Sequence, residues 1–373
     1  MDLGDALASE HEVSVVAQRV DEGHHGRLTH ILREAPSFEP FGRGSVDVRQ
    51  LRLPRRRRLL LVPFVAELLP LAGRLSLRWL RAYTSRYYAA VARRTLAPLL
   101  AGADIVHVLG GDLLAAAAVK TGHALGKPVV ITPSAHPGDW GLDAGSVRAY
   151  RDADAVLANA KADASIYRGV GVADRSLYVC GHPVPRPLTA NGPPATDADG
   201  APTVLFLGAR RPYKGWDLLL EAAPLVWRAR PDVRFAFVGP GDPLGPHDPR
   251  ILDVGRVSED DRARWLERAA LLCLPSTWEA FGLVVVEAWS KGKPVVVSDI
   301  PVLRELVDGA GGGLLVRRER DAVAAAITRL VEDRGLAREM GEAGRDHWEA
   351  NYKPAAVARR HVDVYRRVIA GRV

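Results

Sequence analysis

Short apolar runs alternate with longer segments of helical periodicity along most of the chain. Val13–Ala17 (VSVVA), Asp104–Leu109 (DIVHVL), Val129–Thr132 (VVIT) and Ala155–Ala158 each read as a buried strand. An alanine-rich helix over Leu113–Leu125 sits between the second and third of these, and Gly126-Lys127-Pro128 breaks it. The rhythm restarts after residue 202. Thr203–Leu207 (TVLFL), Arg234–Val238 (RFAFV), Ala270–Leu274 (ALLCL) and Pro294–Val297 read as strands, and Trp216–Ala229, Glu259–Ala270 and Leu283–Lys291 as helices. Strands continuously apolar rather than alternating, with helices between them, predict parallel sheets covered on both faces.

Between the halves lies Pro183–Pro202 (PVPRPLTANGPPATDADGAP), with the Pro, Gly, Asp and Thr content of a linker. The expected fold is α/β, with two doubly wound, Rossmann-like domains facing a central cleft. The first unit takes residues 1–185, the linker 186–202 and the second unit 203–354, with a C-terminal helix at about 355–373 returning to the first unit. Ligands of such sheets sit at the C-terminal ends of the strands.

Composition narrows the classes. The chain has 373 residues, 47% hydrophobic and 25% charged, which excludes a disordered chain and favours two domains. Lys+Arg 51 against Asp+Glu 44 gives +7, a surplus suited to phosphate-bearing ligands or an anionic surface. Cys180 and Cys273 fall in no CxxC or zinc pattern, so a disulfide framework is excluded and a reducing compartment expected. The longest apolar run of the N-terminal region, Leu59–Ala66, ends at Glu67, far short of the ~20 residues of a membrane span. The opening residues carry neither a basic n-region nor an apolar core. A cytoplasmic protein is expected, free or peripheral on the inner face of the membrane.

Two strings carry candidate chemistry. In Pro275-Ser276-Thr277-Trp278-Glu279-Ala280-Phe281-Gly282-Leu283-Val284-Val285-Val286-Glu287, a loop follows a strand and opens a helix. The N–H groups of Phe281, Gly282 and Leu283 fall at the helix start, a site suited to phosphate. Glu279 and Glu287, eight residues apart, could read two sets of hydroxyls on one extended ligand; read alone, Glu279 could equally cap the helix and Glu287 lie on a solvated face. The second string, Gly208-Ala209-Arg210-Arg211-Pro212-Tyr213-Lys214-Gly215, also joins a strand to a helix. Its cations can pair with a diphosphate. It is no Walker A loop, and Gly239-Pro240-Gly241 lacks the third glycine of the dinucleotide fingerprint. Asp152-Ala153-Asp154 precedes its strand and Asp197-Ala198-Asp199 lies in the linker, so neither reads as a metal-binding Asp-x-Asp.

The pair GxxxxxKG and PSxxEAFGLxxxEA, with Gly239–Gly241 and Gly255-Arg256-Val257-Ser258 between them and Lys293–Glu305 and Gly313–Val316 after them, resembles the retaining GT-B glycosyltransferases of family 4. The resemblance covers nearly the whole chain, is strongest over 203–316 and fades before residue 100. It implies transfer of a sugar from a UDP- or GDP-linked donor to a hydroxyl of a glycan, glycolipid or small molecule, with no cofactor and no metal. Lys214 and an arginine before it, Arg210 or Arg211, would hold the diphosphate beside Gly208. Glu279 and the N–H groups of Phe281–Leu283 would meet sugar and phosphate, Glu287 the ribose, and the backbone near Val257 the base. His136, in Thr132–Gly138, would face the reacting sugar. The implied chemistry stabilises negative charge on the leaving diphosphate with fixed cations and dipoles. The alternatives are a non-catalytic nucleotide-sugar-binding protein and a GT-B sugar-nucleotide epimerase.

Two departures stand out. Position 209, where the family carries its clamp arginine, is alanine. Family members also open with a strand and glycine-rich loop before the segment matched by Leu7–Ala17, so the first strand is expected to be missing and the natural start to lie roughly 20–30 residues upstream. Arg55, Arg56, Arg57 and Arg58, followed by Arg74, Arg78 and Arg81 on one helical face, could meet an anionic membrane; a solvated helix face is the plainer reading. No nucleic-acid partner is expected.

Overall fold

A computed structural model describes residues 3–17, 46–51, 90–111, 113–135, 141–185, 200–245 and 248–371. In its C-terminal half, β7 (Thr203–Leu207), β8 (Arg234–Val238), β9 (Ile251–Gly255), β10 (Leu271–Leu274), β11 (Val295–Ser298) and β12 (Gly313–Val316) form one parallel sheet. Its order is β12-β11-β10-β7-β8-β9. The order reverses between β7 and β10, which lie side by side with Leu271 against Val204. A crevice therefore opens where their C-terminal ends diverge. The central strands are buried throughout: every residue of TVLFL, LLCL and VVVS is inaccessible because helices cover both faces.

Those helices are α6 (Trp216–Ala229), α7 (Glu259–Arg268), α8 (Leu283–Ser290), α9 (Pro301–Ala310), α10 (Arg320–Glu332) and α11 (Arg334–Asn351). Ser258 caps α7 by accepting from the Asp261 N–H, and three acidic residues in its first turn suit the positive end of the helix. Trp289 of α8 is fully buried and its indole N–H donates to the Gly312 carbonyl at 2.9 Å, so the largest core side chain leaves no polar atom unpaired.

The N-terminal half holds two parallel sheets. β3 (Val106–Leu109), β4 (Val129–Thr132), β5 (Ala155–Ala158) and β6 (Leu177–Val179) pair in sequence order. β1 (Ser14–Ala17) and β2 (Asp47–Gln50) pair separately. Val16 and Leu51 nevertheless pack into the core beneath β3 and β4, and among the described residues no strand links the two sheets by a ladder. α3 (Leu113–Ala124), α4 (Ala144–Asp152) and α5 (Lys161–Gly169) follow β3, β4 and β5, while α1 (Leu3–Ala8) and a helical stretch over 90–100, here α2, complete the half.

The last helix, α12 (Pro354–Ala370), lies against this N-terminal unit. Val364 and Val368 join Val130, Ala155, Leu157 and Cys180 in one apolar cluster. Tyr365 Oη sits 2.6 Å from His107 Nδ1, and His107 Nε2 sits 2.8 Å from Thr132 Oγ1. Complete burial, assisted by neighbouring His361, holds His107 down to about 3, so it is a neutral hydrogen-bonding residue of the core.

The sequence pattern gave most strands within two residues. It did not mark β2, β6, β9 or β12 as strands. β9 (ILDVG) carries a polar residue at its centre and is only half-buried, as suits the edge of the sheet. Cys180 and Cys273 are both buried and free. No described helix is long and apolar enough to cross a membrane. Arg55–Arg58, Arg74, Arg78 and Arg81 lie outside the described residues, as do most of the linker and His136.

Candidate active site

The loops leaving β7 and β10 meet at the crevice. The first starts at Gly208, whose N–H donates to Val238 O, and passes through a single turn of 3-10 helix at Pro212–Lys214. It ends at Gly215, with φ 71°, before α6. A Cβ on Gly215 would lie 2.1 Å from the Pro275 carbonyl oxygen, so only glycine permits this approach of the two loops. The Thr277 N–H fastens them by donating to Tyr213 O at 2.7 Å.

This contact brings Lys214 and Glu279 together from 65 positions apart. Lys214 Nζ lies 2.7 Å from one Glu279 carboxylate oxygen and 2.8 Å from the other. Ser276 Oγ donates to Glu279 Oε1 at 2.7 Å. The Glu279 side chain is 7% exposed and that of Lys214 20%, so this charge pair is largely shielded yet reaches the crevice. Glu279 does not cap α8. That place belongs to Gly282, at φ 91°. The N–H groups of Phe281, Gly282 and Leu283 make no hydrogen bond among the described residues. Phe281 is buried, with its ring 5.4 Å from Tyr352 and 6.0 Å from His182, while Leu283 is exposed.

Glu287, just over one turn into α8, is not on a solvated face. Arg262 of α7 donates from Nη2 to its Oε2. Burial raises the Glu287 carboxyl and the Arg262 charge opposes that rise. Val257 lies half-buried between β9 and the cap of α7.

The two candidate clamp arginines have different surroundings. Arg210 turns inward: Nη1 donates to Asp253 Oδ1 at 2.7 Å and Nη2 to Gly241 O at 3.1 Å, leaving its side chain 4% exposed. Asp253 also accepts from the Leu244 N–H. Arg210 thereby braces β9 and the loop after β8. Arg211 is exposed and makes no side-chain hydrogen bond or ion pair among the described residues.

The sequence brought Lys214, Glu279, Glu287 and the 281–283 amides to one region; the structure joins Lys214 to Glu279, sets the 281–283 amides at the start of the helix that follows, and places Glu287 within that helix against Arg262. It did not assign roles to Ser276, Arg262 or Asp253. Ser276 stands in the PS pair three residues before Glu279, which is a local signal. The partners of Arg262 and Asp253 sit on other elements, and no spacing marks them.

The four-stranded N-terminal sheet and the six-stranded C-terminal sheet, each flanked by helices, belong to the two Rossmann-like units of a GT-B fold. Residues 201–333, the segment bearing these loops, match the family of Glycosyl transferases group 1. Among solved structures, Anabaena Alr3699/HepE in complex with UDP superposes with a TM-score of 0.66 at 16% identity, covering 96% of this chain and 100% of that one. A phosphatidyl-myo-inositol mannosyltransferase of Mycolicibacterium smegmatis is 36% identical over 148 residues, covering 36% of this chain and 38% of that protein. A D-inositol 3-phosphate glycosyltransferase of Streptomyces griseus is 34% identical over 162 residues, covering 38% of this chain and 34% of that protein. The matched part thus spans well under half of either curated relative's length.

Proposed function

We propose that the protein is a retaining, metal-independent glycosyltransferase that moves a sugar from a nucleoside-diphosphate sugar to a hydroxyl acceptor. The observation that carries this reading is the Lys214–Glu279 pair at the switch point, beside the unpartnered 281–283 amides. An ammonium has three donors, so Lys214 can keep one on Glu279 and turn others to a phosphate oxygen. Arg211, exposed three residues before it, supplies the second cation. Arg210 is committed to Asp253 and acts through the loop it braces.

In the proposed reaction the bond from the sugar C1 to the β-phosphate oxygen breaks, and the acceptor oxygen bonds C1 on the same face. The acceptor proton passes to the departing phosphate. The charge that develops there falls on Lys214 and the helix-start amides, held in place beforehand, and on Arg211, which is free to turn to the phosphate. Glu279 orients the transferred sugar, Glu287 takes the ribose hydroxyls, and the backbone at Val257 flanks the base. The N-terminal unit, residues 1–185, binds the acceptor with α12, and the sequence match assigns His136 of that unit to the reacting sugar. The donor unit is 203–354. The names of the two curated relatives favour an inositol-containing acceptor, lipid-linked or free.

The test is a panel of UDP- and GDP-sugars with inositol, inositol phosphate and phosphatidylinositol, run in EDTA and scored as nucleoside-diphosphate release. Release that persists in EDTA and falls at least about a hundredfold in Glu279→Ala is the expected result. A donor that binds but is never cleaved, even with membrane extract as acceptor, would sink the transferase reading in favour of simple nucleotide-sugar binding.

A further inference from the structure

Arg262 stands against the Glu287 carboxylate from a neighbouring helix. It lies one turn into α7, on the helix that starts after the Val257 segment, and reaches across to Glu287 on α8. The contact is partly enclosed: the arginine side chain is 24% exposed and the glutamate 14%. Its Nη1 also lies 3.5 Å from Glu259 Oε2, but Glu259 is 89% exposed, so that second contact is a weak surface pair. The guanidinium therefore serves chiefly Glu287.

Only one carboxylate oxygen is taken. Oε1 of Glu287 accepts no hydrogen bond among the described residues. An ionised carboxylate has about four lone-pair sites and no donor, so it can accept from two neighbouring hydroxyls at once, whereas a neutral one cannot do so equally. Fixing one oxygen on a planar guanidinium restricts rotation about the last side-chain bond and leaves the other oxygen open to a ligand.

We propose that Arg262 is a positioning residue for the nucleotide: by engaging one oxygen of Glu287 it presents the other to the vicinal diol of the ribose, and so makes the site selective for ribonucleotides. This rests on the donor-site reading above. Arg262 does not touch the ligand and acts through Glu287.

The experiment titrates UDP, GDP and their 2′,3′-dideoxy forms calorimetrically into the full chain, into Arg262→Met and into Arg262→Lys. The unmodified protein should prefer the ribose form of the base it takes. Arg262→Met should lose about tenfold in affinity for that form, the worth of one charge-assisted hydrogen bond, and keep its affinity for the dideoxy form. Arg262→Lys should recover part of the loss. Equal weakening of both forms would mean that Arg262 merely supports the fold, and would overturn the proposal, as would unchanged binding in both variants. Should Arg262→Met fail to fold, Arg262→Lys alone decides, by whether the ribose preference shrinks. An unmodified protein that binds neither UDP nor GDP would remove the donor-site reading and the proposal with it; nucleotide binding with an intact preference in the variants would remove the proposal alone.

Discussion

Glu279 is a carboxylate almost withdrawn from water, and its solvation is replaced by three short contacts, two from Lys214 and one from Ser276. Truncating the lysine leaves a buried negative charge with a single neutral donor. Removing one partner of such a pair costs more than the pair contributes, because the survivor keeps its desolvation penalty. Lys214→Met should therefore lower stability by about 2 kcal/mol, below the range for fully buried pairs because the ammonium is one-fifth exposed. Lys214→Met combined with Glu279→Gln should recover at least about half of that loss, since no orphaned charge remains. Urea unfolding of the two variants and the parent, followed by tryptophan fluorescence, reads the difference. Additive losses would show that the ammonium and carboxylate are solvated independently, and that the loop contact at Gly215, not the charge pair, sets the geometry. The residue types of this pair were legible in the chain, because a lysine before glycine and a glutamate before Ala-Phe-Gly each stood in a strand–loop–helix string. Ser276 was legible only as part of that string. Arg262 and Asp253 were not, since what each does depends on which helix or strand packs beside it.

At the scale of elements, α5 shows how the two halves share one helix end. Its cap position, Ala160, offers no side-chain acceptor. Glu305, from α9 of the other half, accepts from the Lys161 N–H at 2.8 Å and the Ala162 N–H at 2.9 Å. A negative charge there suits the positive end of the helix. Asp163, in the same first turn, accepts from the Asn159 N–H at 2.9 Å and is buried. Burial raises its carboxyl to about 6, against the opposing hydrogen bonds from Asn159 and Tyr167 and with a further rise from the Glu305 charge. An acid whose folded value lies above its unfolded one binds its proton more tightly when folded. Stability from this group is full below about pH 4 and is lost as pH rises from there to about 6. Asp163→Asn keeps an acceptor for Asn159 and removes the titration. Its stability should be flat across that window where the parent declines, and should exceed the parent's at pH 7 by on the order of 2 kcal/mol. Thermal unfolding at several pH values measures this, and parallel curves for parent and variant would refute it. The parallel sheets themselves were legible because TVLFL, RFAFV and VVVS are runs dominated by apolar residues, many of them β-branched or aromatic. β9 was not, because Asp253 interrupts it in order to hold Arg210 and the Leu244 N–H. Glu305 lay in a string that resembled the family, yet nothing local to it named a helix end in the other half.

Over the whole molecule, the chain leaves the first unit through 180–184 and returns to it through α12, and the two passages are laced together. Arg360 Nε donates to Cys180 O at 2.7 Å, Trp348 Nε1 donates to Val184 O at 2.8 Å, and the Val184 N–H donates to Tyr352 O at 2.9 Å. Tyr352 in turn packs on Phe281, whose backbone stands at the start of α8. The helix-start amides are thus supported by the same segment that anchors α12 to the N-terminal sheet. That sheet depends on α12 for one face, where Val364 is 5% exposed among Val130, Ala155, Leu157 and Cys180. The C-terminal sheet has its own, larger core, to which α12 contributes no residue. Val364→Asp places a charge in an apolar cluster with no cation among its members, at a cost of about 3 kcal/mol or more. The loss should fall unevenly. Amide hydrogen exchange should quicken over 106–109, 129–132 and 155–158, while the strands at 203–207, 271–274 and 295–298 keep their protection. If the central strands of both sheets lost protection together, the lacing at 180–184 would couple the two units into one cooperative body. A donor bound between the β7 and β10 loops would then stabilise the N-terminal sheet as much as its own.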